Sequence, residues 1–327
     1  MRPWPTRLPS SGWFARRPRN NDCDHPPEKP GRPRSRVPSC LCDARACGIL
    51  RRITVLRLPQ VTLCCIDAKN HAMALRAIQC SRRHIHFART IFLTDAIPAG
   101  VHVPPDVDVI PVGPITSHKA YSQIVLKELY PHVATSHVLV TQWDGYVVNP
   151  DLWDNDFLSC DYVGAPWSDG SVGNGGFSLR SRRLLLALRD PGFTDVAEAE
   201  DVAICGEYRA RLISEFKIVF AETALARRFS FEMEVVPIFA GARTFGFHGV
   251  FNLPLVMSSQ ELRVLVSQFS DAIVSSEMTG RLLNNLLTIR NYEGAIALGE
   301  RMLETNPGNA HGAQAIQLAR RSLKAPV

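Results

Sequence analysis

Buried-strand patterns dominate the first two-thirds of this chain and helical ones the last third. Val61-Thr62-Leu63-Cys64-Cys65-Ile66 is an apolar run rich in β-branched residues that stops at Asp67. Such a run reads as a strand buried on both faces. A helical stretch follows over His71–Arg83, then a second strand, Thr90–Thr94, which stops at Asp95. Val107–Val112 is a third short strand, Lys119–Leu129 a helix, and His137–Val140 another buried strand. Further on, the pattern predicts a short strand in Asp161–Trp167, a helix over Arg182–Leu188 capped by Ser181, a helix over Val202–Tyr208, a strand at Lys217–Phe220 and a helix over Ala221–Phe229. Strands that alternate with helices imply βαβ units and a mostly parallel sheet, hence an α/β fold. From Ser258 onward the period is helical, with amphipathic helices at Asn291–Leu303 and Ala310–Leu323 on either side of Asn306-Pro307-Gly308.

Charge divides the chain differently. The net charge is +6 over 327 residues, but residues 1–60 hold thirteen Lys+Arg against four Asp+Glu, or +9, which leaves 6 − 9 = −3 for the rest. The mildly acidic remainder argues against nucleic acid as a partner. Residues 1–58 are rich in Pro and Arg, cannot bury enough apolar area to offset chain entropy, and are expected to be disordered. They lack the apolar core of a signal peptide; an over-extended start, a basic arm and a transit-like segment all fit them. The expected organisation is a basic tail over 1–58, an α/β domain over 59–256 and a helical region over 257–327. None of the apolar runs reaches the roughly 18 residues of a membrane span. Nine cysteines, at spacings that match no common zinc pattern, are expected as free thiols in a reducing, cytoplasmic setting, either free or peripheral to the inner membrane.

Candidate chemistry gathers at four places. The strand at His137–Val140 runs into Gln142-Trp143-Asp144-Gly145, so Asp144 stands at a strand's carboxyl end, where open α/β sheets bind ligands. A turn or cap aspartate is the plainer reading of the same residue. Asp67 and Asp95 also end strands, and the first half suggests a nucleotide-binding crevice; turn acids would look the same. Val172-Gly173-Asn174-Gly175-Gly176-Phe177-Ser178 carries glycines that let backbone N–H groups approach a ligand. It lacks the third glycine of a dinucleotide fingerprint and the Lys-Ser/Thr of a P-loop. Glu198-Ala199-Glu200-Asp201 heads a helix, where acids also serve the dipole. His248 is flanked by glycines and aromatics in Phe245-Gly246-Phe247-His248-Gly249-Val250-Phe251-Asn252.

The order Asp144, glycine loop, Glu200-Asp201, His248 resembles the marks of GT-A-fold glycosyltransferases. The stretches QWDGYVVNP, DYVGAPW, VGNGGFSLRS, ED and FGFHGVFN look like an uncharacterised bacterial family assigned to that fold, over roughly Val61 to Asn252. The resemblance implies a GT-A-like sheet flanked by helices and transfer of a sugar from a nucleotide-sugar donor to a glycan, lipid or protein acceptor in bacterial glycoconjugate or polysaccharide synthesis. It assigns Asp201, with Glu200 beside it, as catalytic base and Asp144 and His248 as ligands of Mn²⁺ or Mg²⁺. Donor contacts fall to Asp67, Asp95, Asp144, Gly175 and Gly176. One departure stands out: Gln142 occupies the first acidic place of the usual Asp-x-Asp. A nucleotidyltransferase and a catalytically silent nucleotide-sugar-binding adaptor are the alternatives. The last two helices resemble a single tetratricopeptide unit, which implies a cap or a docking surface for a protein partner.

Overall fold

Six strands form a mixed sheet in the order β3-β2-β1-β4-β6-β5. These are β1 Leu56–Ile66, β2 Ile85–Thr94, β3 Asp108–Pro111, β4 His137–Thr141, β5 Tyr162–Val163 and β6 Phe177–Ser181. The computed structural model describes residues 55–193, 199–233, 238 and 241–324. The tail expected over 1–58 therefore lies outside the described residues up to 54, as does Glu198, while β1 begins at Leu56, inside the stretch expected to be disordered. The early part of β1 reads poorly as a strand because Leu56–Gln60 alternates around a proline and only Leu58 is buried there.

The pairs β1–β2, β1–β4 and β2–β3 are parallel, and β6 runs antiparallel to both β4 and β5. The expected α/β class with a mostly parallel sheet is thus what forms. Val61–Ile66 and all of β4 are buried, which is why they read as continuous apolar runs rather than alternating ones. Successive parallel strands step outward from β1 through β2 to β3, and β4 then returns to the other flank of β1. The carboxyl ends of β1 and β4 therefore form the point where strand order reverses, a crevice that open α/β sheets use for ligands.

Helix α1, His71–Arg82, connects β1 to β2. The helix expected over Lys119–Leu129 is α2, His118–Gln123, capped by the Ser117 side chain and continued as a π-helical turn, Ile124–Glu128. A second π turn, Ala203–Glu207, follows the short α4, Glu200–Val202, and sits between it and α5, Arg209–Ser214. Between these lies α3, Arg182–Ala187, whose Ser181 cap accepts from Leu184 N as the sequence suggested. Two expectations change. Phe177–Ser181, to which the sequence pattern assigned no element ahead of the Ser181 cap, is β6, all five residues of which are buried. Its pattern was hidden by Arg180, a fully buried charge inside a core strand. The strand expected at Lys217–Phe220 is an isolated bridge from Phe220 to Tyr162, because Lys217 adopts φ 57° and breaks the extended run.

Helix α6, Thr223–Phe229, leads into a two-stranded parallel pair, β7 Ser230–Phe231 and β8 Gly246–Phe247. The C-terminal helices are α7 Ser259–Val266, α8 Asp271–Val274, α9 Glu277–Thr288, α10 Tyr292–Thr305 and α11 Ala310–Lys324. Small residues sit at the α10–α11 crossing: a Cβ on Gly299 would lie 2.7 Å from Ile316 and 3.0 Å from the Gly312 carbonyl. The helices also share one apolar core with the sheet domain, in which Tyr146, Phe247, Phe251, Phe269, Leu282 and Leu286 belong to a single cluster. Asn285 Nδ2 donates to Phe251 O at 2.8 Å, and Trp143 meets Phe269 edge to face at 5.7 Å. This helical region is packed against the loop that carries His248 rather than tethered beside it. Among the described residues, no helix is long and apolar enough to cross a membrane.

Candidate functional site

At the end of β4 the chain makes a tight turn in which Gln142 N donates to Gly145 O and Gly145 N to Gln142 O, at 3.2 and 3.0 Å. Trp143 and Asp144 are left at its corner. The chain then doubles back so that Val147 bridges Gly246 and Val148 N donates to Phe245 O at 3.0 Å. That pairing brings the distant Gly246–Val250 loop onto the turn. Gly249 N donates to Asp144 O and Val250 N to Asp144 Oδ2, both at 3.0 Å. Gly249 has φ +97°, a backbone conformation that favours glycine, and so allows the loop to wrap the carboxylate.

His248 lies at the centre of this arrangement. Its Nε2 is 3.6 Å from Asp144 Oδ1 and 3.2 Å from Gln142 Oε1, and its Nδ1 is 3.0 Å from Glu232 Oε1. Burial alone would push the imidazole down, but the Asp144 and Glu232 carboxylates outweigh it and hold the group well above 6.5. The imidazole lies against glycine backbone: a Cβ on Gly176 would collide with its ring, and one on Gly145 would come within 2.7 Å of its Cδ2. Glycine at these places is what lets the strand-end turn, the glycine loop and the histidine loop close on each other.

The neighbouring Gly175 ties the acidic pair to the same place. Its N–H donates to Asp201 Oδ2 at 2.9 Å, and Asp201 Oδ1 accepts from Val202 N at 2.9 Å. Asp201 remains partly exposed. Glu200 does not: its carboxylate is buried and pairs with Arg180 at 2.8 Å. Arg180 Nη2 also donates to Gly175 O at 3.2 Å and its Nε to Ser178 Oγ at 2.9 Å, while Ser178 Oγ donates to Gly175 O at 3.0 Å. Burial would lower the guanidinium, but Tyr162 and Glu200 outweigh it and raise it further. Glu200, expected beside the base, is an internal counter-ion that braces the glycine loop.

The strand-end acids separate. Asp67 helps line a cavity of about 200 Å³ with Ser117, Tyr121, Gln142 and Trp143, at the crevice between β1 and β4. Its Oδ1 accepts from Lys69 N at 2.7 Å and Asn70 N at 2.5 Å, so it also shapes the turn into α1. Burial raises its carboxyl, partly offset by those two donors. Asp95 is exposed past β2 and is not among the residues lining that cavity. Gln142 forms the wall between cavity and histidine: its Nε2 donates to Tyr121 OH at 2.9 Å, and its Oε1 faces His248. Glu232 carried no signal in the sequence, since it stands after a two-residue strand with no motif around it. Arg180 could have been found as the one charge inside a run of buried residues.

Among the described residues, no group of three or more His, Cys, Asp or Glu is arranged to hold a metal ion. Asp144 Oδ1, His248 Nε2 and Gln142 Oε1 nonetheless face one another, a set of two oxygens and an imidazole nitrogen. That set suits a cation such as Mn²⁺, which takes the rest of its shell from ligand and water.

Residues 106–248 match a family model described as "Protein of unknown function (DUF5672)". The match spans Asp144, the glycine loop, Asp201 and His248. No curated protein matches the chain. Among solved structures, the chain is similar to the "crystal structure of a glycosyltransferase involved in the glycosylation of the major capsid of PBCV-1". That likeness has 13% identity and a TM-score of 0.35, and covers 57% of this chain and 93% of that one.

Proposed function

We propose that this protein is a glycosyltransferase that moves a sugar from a nucleotide-sugar donor to an acceptor hydroxyl. The observation that supports it is the meeting of Asp144, Gly176 and His248, with Asp201 held one peptide away through Gly175 N, beside the crevice at the ends of β1 and β4. Four chain segments far apart in sequence are folded onto one small polar patch, and a purely structural aspartate turn has no need of them.

The roles follow from the positions. The cavity walled by Asp67, Tyr121 and Trp143 would take the nucleoside, with Asp67 accepting from ribose or base. Asp144 and His248 would hold Mn²⁺ or Mg²⁺, and the cation would supply charge neutralisation for a departing diphosphate. The Gly175-Gly176 backbone would orient the donor. Asp201 would act as base toward the acceptor hydroxyl: each of its oxygens accepts one backbone N–H and retains a lone pair. A second reading, a donor-binding protein without turnover, is favoured by one observation: both carboxylates of the acidic pair already have partners, Glu200 through its buried Oε1 and Asp201 at each oxygen.

Hydrolysis of a panel of nucleotide-sugars with Mn²⁺ tests the proposal, alongside calorimetry on wild type and Asp144→Asn. Release of a nucleoside diphosphate from at least one donor, and loss of divalent-dependent donor binding in the variant, are expected. Donor binding without release of diphosphate, in the presence of acceptor sugars, would favour the silent reading. Equal binding by Asp144→Asn would remove the carboxylate from the site.

A further inference from the structure

We infer that Glu232, acting through His248, provides the negative charge that Gln142 does not, and fixes the tautomer with which His248 meets a divalent cation. This rests on the metal-assisted reading above and assigns a positioning residue to it.

The geometry begins with the small parallel pair. Phe231 pairs with Phe247, so the next residues, Glu232 and His248, leave β7 and β8 side by side. His248 N is held by Phe231 O at 3.0 Å. Asn252 locks the two together, its Nδ2 donating to Glu232 O at 2.9 Å and to His248 O at 2.8 Å. Asn252 is fully buried, so this clamp is sheltered from water. Glu232 and His248 thus have their backbones fixed relative to each other before their side chains meet.

The side-chain contact then sets the proton. An ionised carboxylate only accepts, so the 3.0 Å contact between Glu232 Oε1 and His248 Nδ1 requires the hydrogen on Nδ1. Nε2 carries the ring's other hydrogen toward Asp144 Oδ1 and Gln142 Oε1. A cation that binds Nε2 replaces that hydrogen, while the Nδ1 hydrogen stays donated to Glu232. An imidazole that donates to a carboxylate is a more basic, better-oriented ligand, and such partners commonly change metal affinity by about 10- to 100-fold. Counting charge around His248 gives Asp144 on one side, Glu232 on the other and a neutral amide at Gln142. A site with one carboxylate facing the cation recovers a second negative charge across the ring.

The test measures Mn²⁺ affinity by electron paramagnetic resonance, with and without a nucleoside diphosphate, on the full chain. The variants are Glu232→Gln, Gln142→Asp, and the two combined. Glu232→Gln preserves shape and removes charge; its affinity should fall 10- to 100-fold while the melting temperature stays near wild type. Adding Gln142→Asp should restore it. Because a carboxylate at 142 would itself face the cation, the single variant is the reference. Gln142→Asp should gain more affinity in Glu232→Gln than in the wild type if the two charges substitute for each other, and equal gains in both backgrounds would mean that the clamp serves the fold alone. Should Glu232→Gln fail to fold, Glu232→Asp keeps the charge but withdraws it by one methylene, and should also weaken binding. Mn²⁺ bound equally by wild type and Glu232→Gln, or weak binding that Gln142→Asp does not restore, overturns the inference and leaves the proposed function standing. Failure of the wild type to bind Mn²⁺ under any of these conditions overturns both.

Discussion

Breaking the buried Arg180–Glu200 pair should destabilise the protein severely, whereas removing both charges should not. The Arg180 side chain has 0% exposure and that of Glu200 5%, and they meet at 2.8 Å. Glu200→Leu would leave a guanidinium without a counter-ion in the core. One of its nitrogens, Nη1, has no hydrogen-bond partner in the structure, so little local compensation is at hand. Orphaning one partner of such a pair costs about 3–5 kcal/mol. That is a large part of the roughly 5–15 kcal/mol that holds a domain together. Arg180→Met should cost a similar amount, since Glu200 is then left buried and charged. The double variant Arg180→Met/Glu200→Leu buries no charge, and the Gly175 carbonyl keeps its bond from Ser178 Oγ. Its cost should fall well below the sum of the singles, with a coupling of about 3 kcal/mol. Urea unfolding of the four proteins, at unchanged m-value, measures this directly. A cost below about 1 kcal/mol for either single variant, or additive losses in the double, would refute the view that the pair is closed off from water and acts as a brace.

Other expectations follow from the same geometry. Asp201→Asn should lower turnover by about 10²–10⁴ while donor affinity stays near wild type, as measured by steady-state kinetics and calorimetry once a donor is known. Gly176→Ala should drive the His248 ring out of place, because the new methyl group would occupy its position; turnover should drop by about 10²-fold, and the overpacked loops should lose about 1–3 kcal/mol of stability, read in urea unfolding. Asp161 is buried and accepts from Arg183, Ser181 Oγ and Val219 N. Burial pushes its carboxyl up, but those donors outweigh it and hold it below 3.8. A depressed native value means stability gained above the unfolded value and lost as pH falls through the native one. Asp161→Asn should therefore cost about 2 kcal/mol at neutral pH, a difference that narrows below about pH 4 in acid-unfolding curves.

The carboxyl ends of β1 and β4 were legible because fully buried strands leave continuous apolar runs, and those runs stop at Asp67 and just before Gln142-Trp143-Asp144. The glycine loop and the His248 loop were also visible, because close backbone approach demands glycines and leaves them clustered. The sequence alone could not say which carboxylates would be used. Glu200 and Asp201 are adjacent in the chain, yet one turns inward to Arg180 and the other toward Gly175, and that division is set by the position of β6. Asp67 and Asp95 end their strands alike, but only β1 lies beside β4, so strand order placed Asp67 at the crevice and left Asp95 in solvent. Glu232 had no local pattern at all. It reaches His248 because a two-residue parallel pairing aligns Phe231 with Phe247. Local propensity and burial pattern act over a few residues and are written in the chain. Which buried charge meets which partner depends on contacts between segments up to 106 residues apart, as for Asp144 and Val250, and only the packed structure decides them.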